Sequence, residues 1–322
     1  MHYRPFGSTG LSVSAVGFGC GRVGGLLVNG TVEDQRRAFA RGLDGGINWF
    51  DTAEAYGSEA ALGQLLASTS ASLHVSTKLT LKAGSTDLVA DIETQTDACL
   101  KRLQRDHVTV LQVHNRIDDS GAGNALTVSQ MLGEVAAGLE RMREKGKVRF
   151  IGLTALGESG GVLRTIESGR FHSAQIYYNL VNPSAARAMP ANWTGQNFAG
   201  VLDAAARLGM GTLGIRVLDG GIIATDERAR PVSMMARETS EAIEQDRTHM
   251  CLAALAKACG DTGTRAQTGL RFALSQSRLS LALVGIGEPG HVDSALAGEA
   301  MGALPPTAFD ALEQIYTNNF QA

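Results

Sequence analysis

The chain has 322 residues, 44% of them apolar, so it has enough material to bury a large hydrophobic core. A formal net charge of −3 excludes the strongly basic surface with which proteins bind nucleic acid or anionic membranes. The chain shows neither a signal-like start nor a run of about 20 apolar residues, and its four cysteines show no metal-binding spacing. We therefore expect a cytoplasmic protein with reduced thiols and small-molecule ligands.

Short apolar runs alternate with longer amphipathic helical patterns along almost the whole chain. This alternation is typical of parallel βα units, and runs that are apolar on both faces suit strands covered by helices. The eight predicted strands cover residues 15–19, 47–50, 73–78, 108–113, 148–154, 173–178, 211–217 and 281–284. No linker or low-complexity segment divides them, so we expect one domain spanning residues 1–322.

Two features lie near the start of the chain. Residues 3–13 read as a small β-hairpin, which would plug one end of a barrel. Residues 19–24 match G-x-G-x-x-G, but the Rossmann fingerprint requires this glycine turn to lead directly into a helix that binds the pyrophosphate. Here residues 24–30 separate the motif from a helix capped by Thr31, so we favour a flexible glycine-rich loop over the Rossmann alternative.

Four polar residues stand at or just after the ends of the second, third and fourth strands, namely Asp51, Tyr56, Lys78 and His114. Taken singly, each has an ordinary structural explanation. Asp51 could form a turn, and Tyr56 could be a half-buried aromatic residue. Lys78 could extend its ammonium to solvent at the end of its strand, and His114 could be a core histidine with its hydrogen bonds satisfied. In a barrel, however, these strand ends are neighbours on one rim. Together the four residues predict a catalytic site.

Reduction of a carbonyl by hydride needs a proton donor, and a tyrosine phenol can serve if its pKa is adjusted. A lysine ammonium a few ångströms away favours the ionised phenol. We expect Lys78 to act in this way on Tyr56, with Asp51 keeping Lys78 charged. His114 would orient the carbonyl oxygen and could relay the proton.

Residues 46–59 closely resemble the signature of the aldo-keto reductases. Residues 76–78, 111–114 and 146–152 follow at that family's spacing, so the resemblance covers nearly the whole chain. It implies a (β/α)₈ TIM barrel, with the predicted hairpin at its N-terminus. It also implies a nicotinamide cofactor extended across the C-terminal face and Tyr56 as the acid or base.

The resemblance also implies part of the cofactor site. Thr154 and Gln175 stand where the family holds the nicotinamide carboxamide, although the family commonly has Asn at the position of Ala155. Arg216 and Leu218 lie where the family often stacks an aromatic residue or places a serine. Arg216 could instead bind the pyrophosphate.

Residues 285–291 resemble the family's adenosine-binding loop, with Gly285, Gly287, Glu288 and His291 as candidate contacts. Gly287 replaces the usual arginine for the 2′-phosphate, and Glu288 would repel that phosphate. We therefore expect NAD(H) to be used at least as well as NADP(H).

The sequence thus predicts an NAD(P)-dependent reductase or dehydrogenase acting on an aldehyde, a ketone or a sugar hemiacetal. Two alternatives are a non-catalytic barrel subunit that senses cofactor and a metal-dependent barrel hydrolase or isomerase. The seven histidines show no ligand-spaced cluster, which disfavours the metal enzyme. Long loops at residues 182–197 and 219–248, with Trp193 and His249, are predicted to shape the pocket.

Overall fold

The chain begins with two antiparallel strands, β1 (Tyr3–Pro5) and β2 (Ser12–Ser14), which form the predicted hairpin. This is a computed structural model, and it describes residues 1–227 and 239–321. Phe6 follows β1, is fully buried and lies 4.6 Å from the ring of Trp49. A Cβ on Gly211 would lie 2.4 Å from the Phe6 ring, so only glycine fits there.

Eight parallel strands form a closed barrel in which each strand pairs with the next and the last pairs with the first. The strands are β3 (Val16–Gly19), β4 (Trp49–Asp51), β5 (His74–Leu79), β6 (Val108–Val113), β7 (Val148–Thr154), β8 (Ser173–Tyr177), β9 (Gly211–Ile215) and β10 (Leu281–Gly285). Gly211 and Trp49 begin their strands, so the hairpin plugs the N-terminal end of the barrel. The predicted (β/α)₈ barrel is confirmed, and its closure excludes the open Rossmann sheet.

Five of the predicted C-terminal strand ends differ from the structure by one or two residues, and two of these differences concern candidate site residues. Strand β4 continues to Asp51, so this carboxylate belongs to the strand instead of following it. Strand β9 ends at Ile215, two residues early, because Arg216 adopts a left-handed backbone with φ of 55° that cannot continue a strand. Both differences lie at the C-terminal rim of the barrel.

Helices cover the outside of the barrel and follow the strands in sequence. They are α1 (Leu26–Asn29), α2 (Val32–Asp44), α3 (Glu59–Ala67), α4 (Leu88–Leu103), α5 (Val128–Gln130), α6 (Ala136–Glu144), α7 (Ser159–Glu167), α8 (Val201–Arg207), α9 (Glu241–Cys259), α10 (Arg265–Leu274), α11 (Pro289–Ala300) and α12 (Pro306–Thr317). The predicted cap is confirmed, since the Thr31 hydroxyl accepts from the backbone N–H of Asp34 at 3.1 Å. The single turn α1 lies within residues 24–30, which the sequence had indicated as loop.

The two long βα connections differ in how well they were predicted. Residues 182–197 contain no helix, as expected, and α8 begins at Val201. The predicted loop at 219–248 is shorter, because Ser240 caps α9 and accepts from the N–H of Ile243 at 3.3 Å. Residues 228–238 of that prediction lie outside the described residues. None of the helices in the described part of the chain combines the length and apolarity needed to cross a bilayer.

Candidate active site

A cavity of about 600 Å³ opens at the C-terminal rim of the barrel. Its wall includes the last residues of several strands, among them Gly19, Asp51, Thr154, Ile215 and Gly285. Small-molecule and cofactor sites have volumes in this range, and barrel enzymes carry their active sites at this end. The cavity is therefore the candidate active site.

Lys78 lies beneath the cavity floor and is fully buried. Its ammonium donates to Asp51 Oδ2 at 2.6 Å and to the carbonyl oxygen of Thr52 at 2.8 Å. The other carboxylate oxygen of Asp51 accepts from the Ser76 hydroxyl and the Gln175 amide, each at 2.6 Å. Burial opposes the charge on Lys78, but Asp51, and after it Tyr56, hold the pKa of Lys78 above its ordinary value.

Tyr56 and His114 face each other above this ion pair. Tyr56 ends a 3₁₀ turn, Glu54–Tyr56, and its ring centre lies 4.9 Å from the Lys78 ammonium. Its hydroxyl is 3.5 Å from His114 Nε2, at the limit of a hydrogen bond, and the two rings meet edge to face. The fold thus brings together all four residues that the sequence had singled out as catalytic.

Burial, and after it the nearby charge of Lys78, lower the pKa of His114 to about 3. The imidazole is therefore neutral across the physiological pH range. A neutral imidazole has one N–H donor and one acceptor nitrogen. His114 can thus donate to a substrate oxygen without carrying a charge.

A second set of buried contacts, which the sequence did not predict, holds the Tyr56 turn against the strand of Lys78. Glu59 begins α3 directly after this turn, and its carboxylate is buried. It accepts from the Thr77 hydroxyl at 2.5 Å and from Arg102 at 2.6 Å. Because Thr77 neighbours Lys78, these bonds tie the turn and the strand to one another.

The cofactor candidates on strands β7 and β8 line the cavity. Thr154 is buried, and among the described residues its hydroxyl has no hydrogen-bond partner. Gln175 is also buried, and its amide nitrogen donates to Asp51. Arg216 and Leu218 line the cavity just beyond the end of β9.

The candidates on the loop after β10 divide into two groups. Gly285 and His291 line the cavity, whereas Gly287 and Glu288 do not. The backbone N–H of Gly287 donates to His291 Nδ1 at 3.1 Å. The Glu288 side chain is 71% exposed and lies 4.0 Å from His291 Nε2, so it stands at the outer edge of the site.

Two residues expected to shape the pocket lie elsewhere. The guanidinium carbon of Arg247 lies 4.7 Å from the centre of the Trp193 ring, and His249 Nε2 lies 2.9 Å from Asp226 Oδ1. Neither Trp193 nor His249 lines the cavity. Each contacts a charged side chain instead. Within the described ranges, no three His, Cys, Asp or Glu side chains come together in a way that could hold a metal ion.

The glycine-rich loop, by contrast, forms part of the cavity wall, through Gly19 and residues 21–24. From the sequence we had expected only a flexible loop here, with no part in the site. Its place directly after the first strand was the signal that could have identified it, because every first βα loop of a barrel faces the catalytic rim.

Comparison with known proteins supports one family. The model of the aldo/keto reductase family matches residues 15–317. The chain is 34% identical over 163 residues to L-galactose dehydrogenase of Arabidopsis thaliana, which covers 48% of this chain and 49% of that protein. It is 29% identical over 196 residues to aldo-keto reductase YhdN of Bacillus subtilis, which covers 56% of this chain and 54% of that protein. The chain thus spans about half the length of the curated relatives it matches.

Solved structures agree on the fold. The holo form of an aldo-keto reductase from Bacillus halodurans superposes with a TM-score of 0.72 at 15% identity, covering 98% of this chain and 96% of that one. An aldo-keto reductase from Klebsiella pneumoniae in complex with NADPH gives 0.71 at 17% identity, with the same coverage. Because the family model matches nearly the whole chain and the barrel is closed, this chain belongs to the aldo/keto reductase family.

Proposed function

We propose that this chain is an NAD(P)-dependent oxidoreductase that interconverts an aldehyde, ketone or sugar hemiacetal with the corresponding alcohol or lactone. One observation carries the proposal. The Lys78–Asp51 ion pair lies directly below Tyr56, which faces His114 in a single cavity. Family membership supports the same chemistry, and the similarity to an L-galactose dehydrogenase favours a sugar among the substrates.

The cavity suits a nicotinamide cofactor. The buried Thr154 hydroxyl has no partner in the described part of the chain, and it borders the same space as Tyr56. An amide group of the cofactor would satisfy this hydroxyl, with Gln175 beside it. Arg216 would attract the pyrophosphate, while Leu218, Gly285 and His291 would form the surrounding wall. When bound, NAD(P) supplies or accepts the hydride.

The protein's own residues would handle the proton. In reduction the Tyr56 hydroxyl would donate its proton to the substrate oxygen, and in oxidation it would take one back. The Lys78 ammonium, 4.9 Å from the ring centre, stabilises negative charge developing on the phenol oxygen. Asp51 keeps that ammonium charged and in place, and neutral His114 orients the substrate oxygen by donating a hydrogen bond.

The Tyr56→Phe variant tests this assignment. The ring and its packing remain, so cofactor binding followed by fluorescence should persist, while kcat should fall by about 10²- to 10⁴-fold. Tyr3→Phe is the matched control, because Tyr3 is exposed and its hydroxyl only donates to the carbonyl of Gly46 at 2.8 Å. Full turnover in Tyr56→Phe would refute the assignment. Cofactor binding by the native chain without turnover of any carbonyl would favour the sensor alternative.

We further propose that NAD(H) is used at least as well as NADP(H), although the similar Klebsiella pneumoniae protein holds NADPH. The support is chemical. Gly287 offers no cation to a 2′-phosphate, and Glu288 places a carboxylate near it. Because Glu288 is 71% exposed, its repulsion is screened, and Glu288→Gln should raise kcat/KM for NADP(H) by only about 1.5- to 5-fold. A strong preference of the native chain for NADP(H) would refute this proposal.

A further inference from the structure

Arg22 lies on the glycine-rich loop and lines the same cavity as Tyr56 and His114. It is exposed, and its Nε donates to the backbone carbonyl of Tyr56 at 3.3 Å. No carboxylate of residues 1–227 or 239–321 forms an ion pair with it. The catalytic function proposed above leaves this guanidinium without a role.

The loop that carries Arg22 is anchored on both sides. The backbone N–H of Cys20 donates to the carbonyl of Asp51 at 2.8 Å, and that of Leu26 donates to the carbonyl of Ile286 at 3.1 Å. Between them Gly21 packs on the Tyr56 ring, since a Cβ there would lie 3.4 Å from it. Arg22 is therefore held next to the Tyr56 turn, and it does not simply extend from a free loop.

The charges around the cavity favour an anion. Asp51 is the only carboxylate among the described lining residues. Both of its oxygens already accept hydrogen bonds, one from Lys78 and the other from Ser76. Two arginines line the wall, Arg216 beyond β9 and Arg22 beside the Tyr56 turn. If Arg216 attracts the cofactor pyrophosphate, Arg22 remains to receive an anionic group of the substrate.

We propose that Arg22 binds a carboxylate of the substrate, so that oxo acids and sugar acids are turned over in preference to their neutral counterparts. This inference rests on the proposed function, because it requires turnover at Tyr56. A guanidinium matches the geometry of a carboxylate with two parallel N–H groups. A single arginine balances one negative charge, which suits a carboxylate better than a doubly charged phosphate.

Matched substrate pairs test the inference in the cofactor-loaded enzyme. Succinic semialdehyde is compared with butanal, and galacturonate with galactose, and the acid-to-neutral ratio of kcat/KM is measured for each pair. The native chain should favour the acids by about 10- to 100-fold, the range expected for a hydrogen bond between charged groups. In Arg22→Ala the ratio should fall to about one. In Arg22→Lys it should take an intermediate value, because lysine keeps the positive charge but lacks the two parallel N–H donors of the guanidinium.

Using the ratio separates substrate recognition from any disturbance of Tyr56, which would slow both members of a pair alike. Arg149→Ala is the control, since Arg149 is exposed near the start of β7, at the opposite end of the barrel. The acid-to-neutral ratio of kcat/KM in Arg149→Ala should equal that of the native chain. Raising NaCl from about 0.05 M to about 0.5 M should reduce kcat/KM for the acids more than for the neutral compounds.

Two results would overturn the inference while leaving the proposed function intact. The first is measurable turnover with an acid-to-neutral ratio near one in the native chain. The second is an Arg22→Ala variant that raises KM for the cofactor but keeps the native substrate ratio, which would assign Arg22 to the cofactor. Absence of turnover with every carbonyl would reject the proposed function, and this inference with it.

Discussion

Replacement of Asp51 by asparagine probes the centre of the candidate site. One carboxylate oxygen accepts from Ser76 and Gln175, and the other accepts from Lys78, all at 2.6 Å. An asparagine amide has one acceptor oxygen and one NH₂ group. Whichever way it turns, its NH₂ faces a donor, so one set of hydrogen bonds is lost.

The cost follows from the burial of Lys78, which has no exposed side-chain surface. Removing one partner of a buried ion pair typically destabilises a protein by about 3–5 kcal/mol, because the remaining charge is left uncompensated. The pKa of Lys78 is raised in the folded chain, so the contribution of this pair is present at neutral pH and is lost only as the pH rises through that raised value. Urea unfolding at pH 7 should therefore show the full decrease in the free energy of unfolding for Asp51→Asn.

Asp97→Asn is the matched control. Asp97 pairs with Lys147 at 2.5 Å but is 53% exposed, so losing this ion pair should cost less than about 1 kcal/mol. An Asp51→Asn variant whose free energy of unfolding lies within about 1 kcal/mol of the native value would contradict the reasoning. It would mean that Lys78 is neutral, or reaches water, in the native chain.

Three further predictions concern other parts of the barrel. Because the pKa of His114 is lowered to about 3, stability should fall as the pH drops from about 6.5 towards 3, and acid titration of His114→Gln by circular dichroism should show a smaller fall. Phe6→Ala should lower the free energy of unfolding by about 3–5 kcal/mol while kcat is unchanged, since the hairpin plug lies opposite the cavity. Thr154→Val should not destabilise the cofactor-free chain, because it removes a buried hydroxyl that has no partner among the described residues, but should weaken cofactor binding measured by calorimetry by about 2- to 10-fold.

The barrel could be predicted from local pattern because parallel strands covered by helices must be apolar on both faces. The site prediction relied on a second general rule, that polar residues at the ends of neighbouring parallel strands share one rim. The structure brings Asp51, Tyr56, Lys78 and His114 together, as that rule requires. The rule does not say which loop residues face inward, and it therefore failed for Trp193.

Errors arose where backbone conformation outweighed composition. Residues 211–217 are suitable for a strand throughout, yet the left-handed backbone of Arg216 ends β9 early. The start of α9 was placed too late, because residues 241–248 are mixed in polarity and only the Ser240 cap marks the boundary. Such details depend on individual dihedral angles and caps, which a hydrophobic pattern averages out.

The sequence by itself determined the architecture, the family resemblance and the candidate catalytic residues, because these follow from periodicity and from short contiguous motifs. Only the tertiary structure decided the environment of those residues. Three features depend on how segments distant in the chain pack together: the Thr154 hydroxyl, which has no partner in the part of the chain that the structure describes, the bond between Arg22 and the Tyr56 carbonyl, and the lowered pKa of His114. Local sequence does not encode these contacts, because they form only when all eight strands close into the barrel.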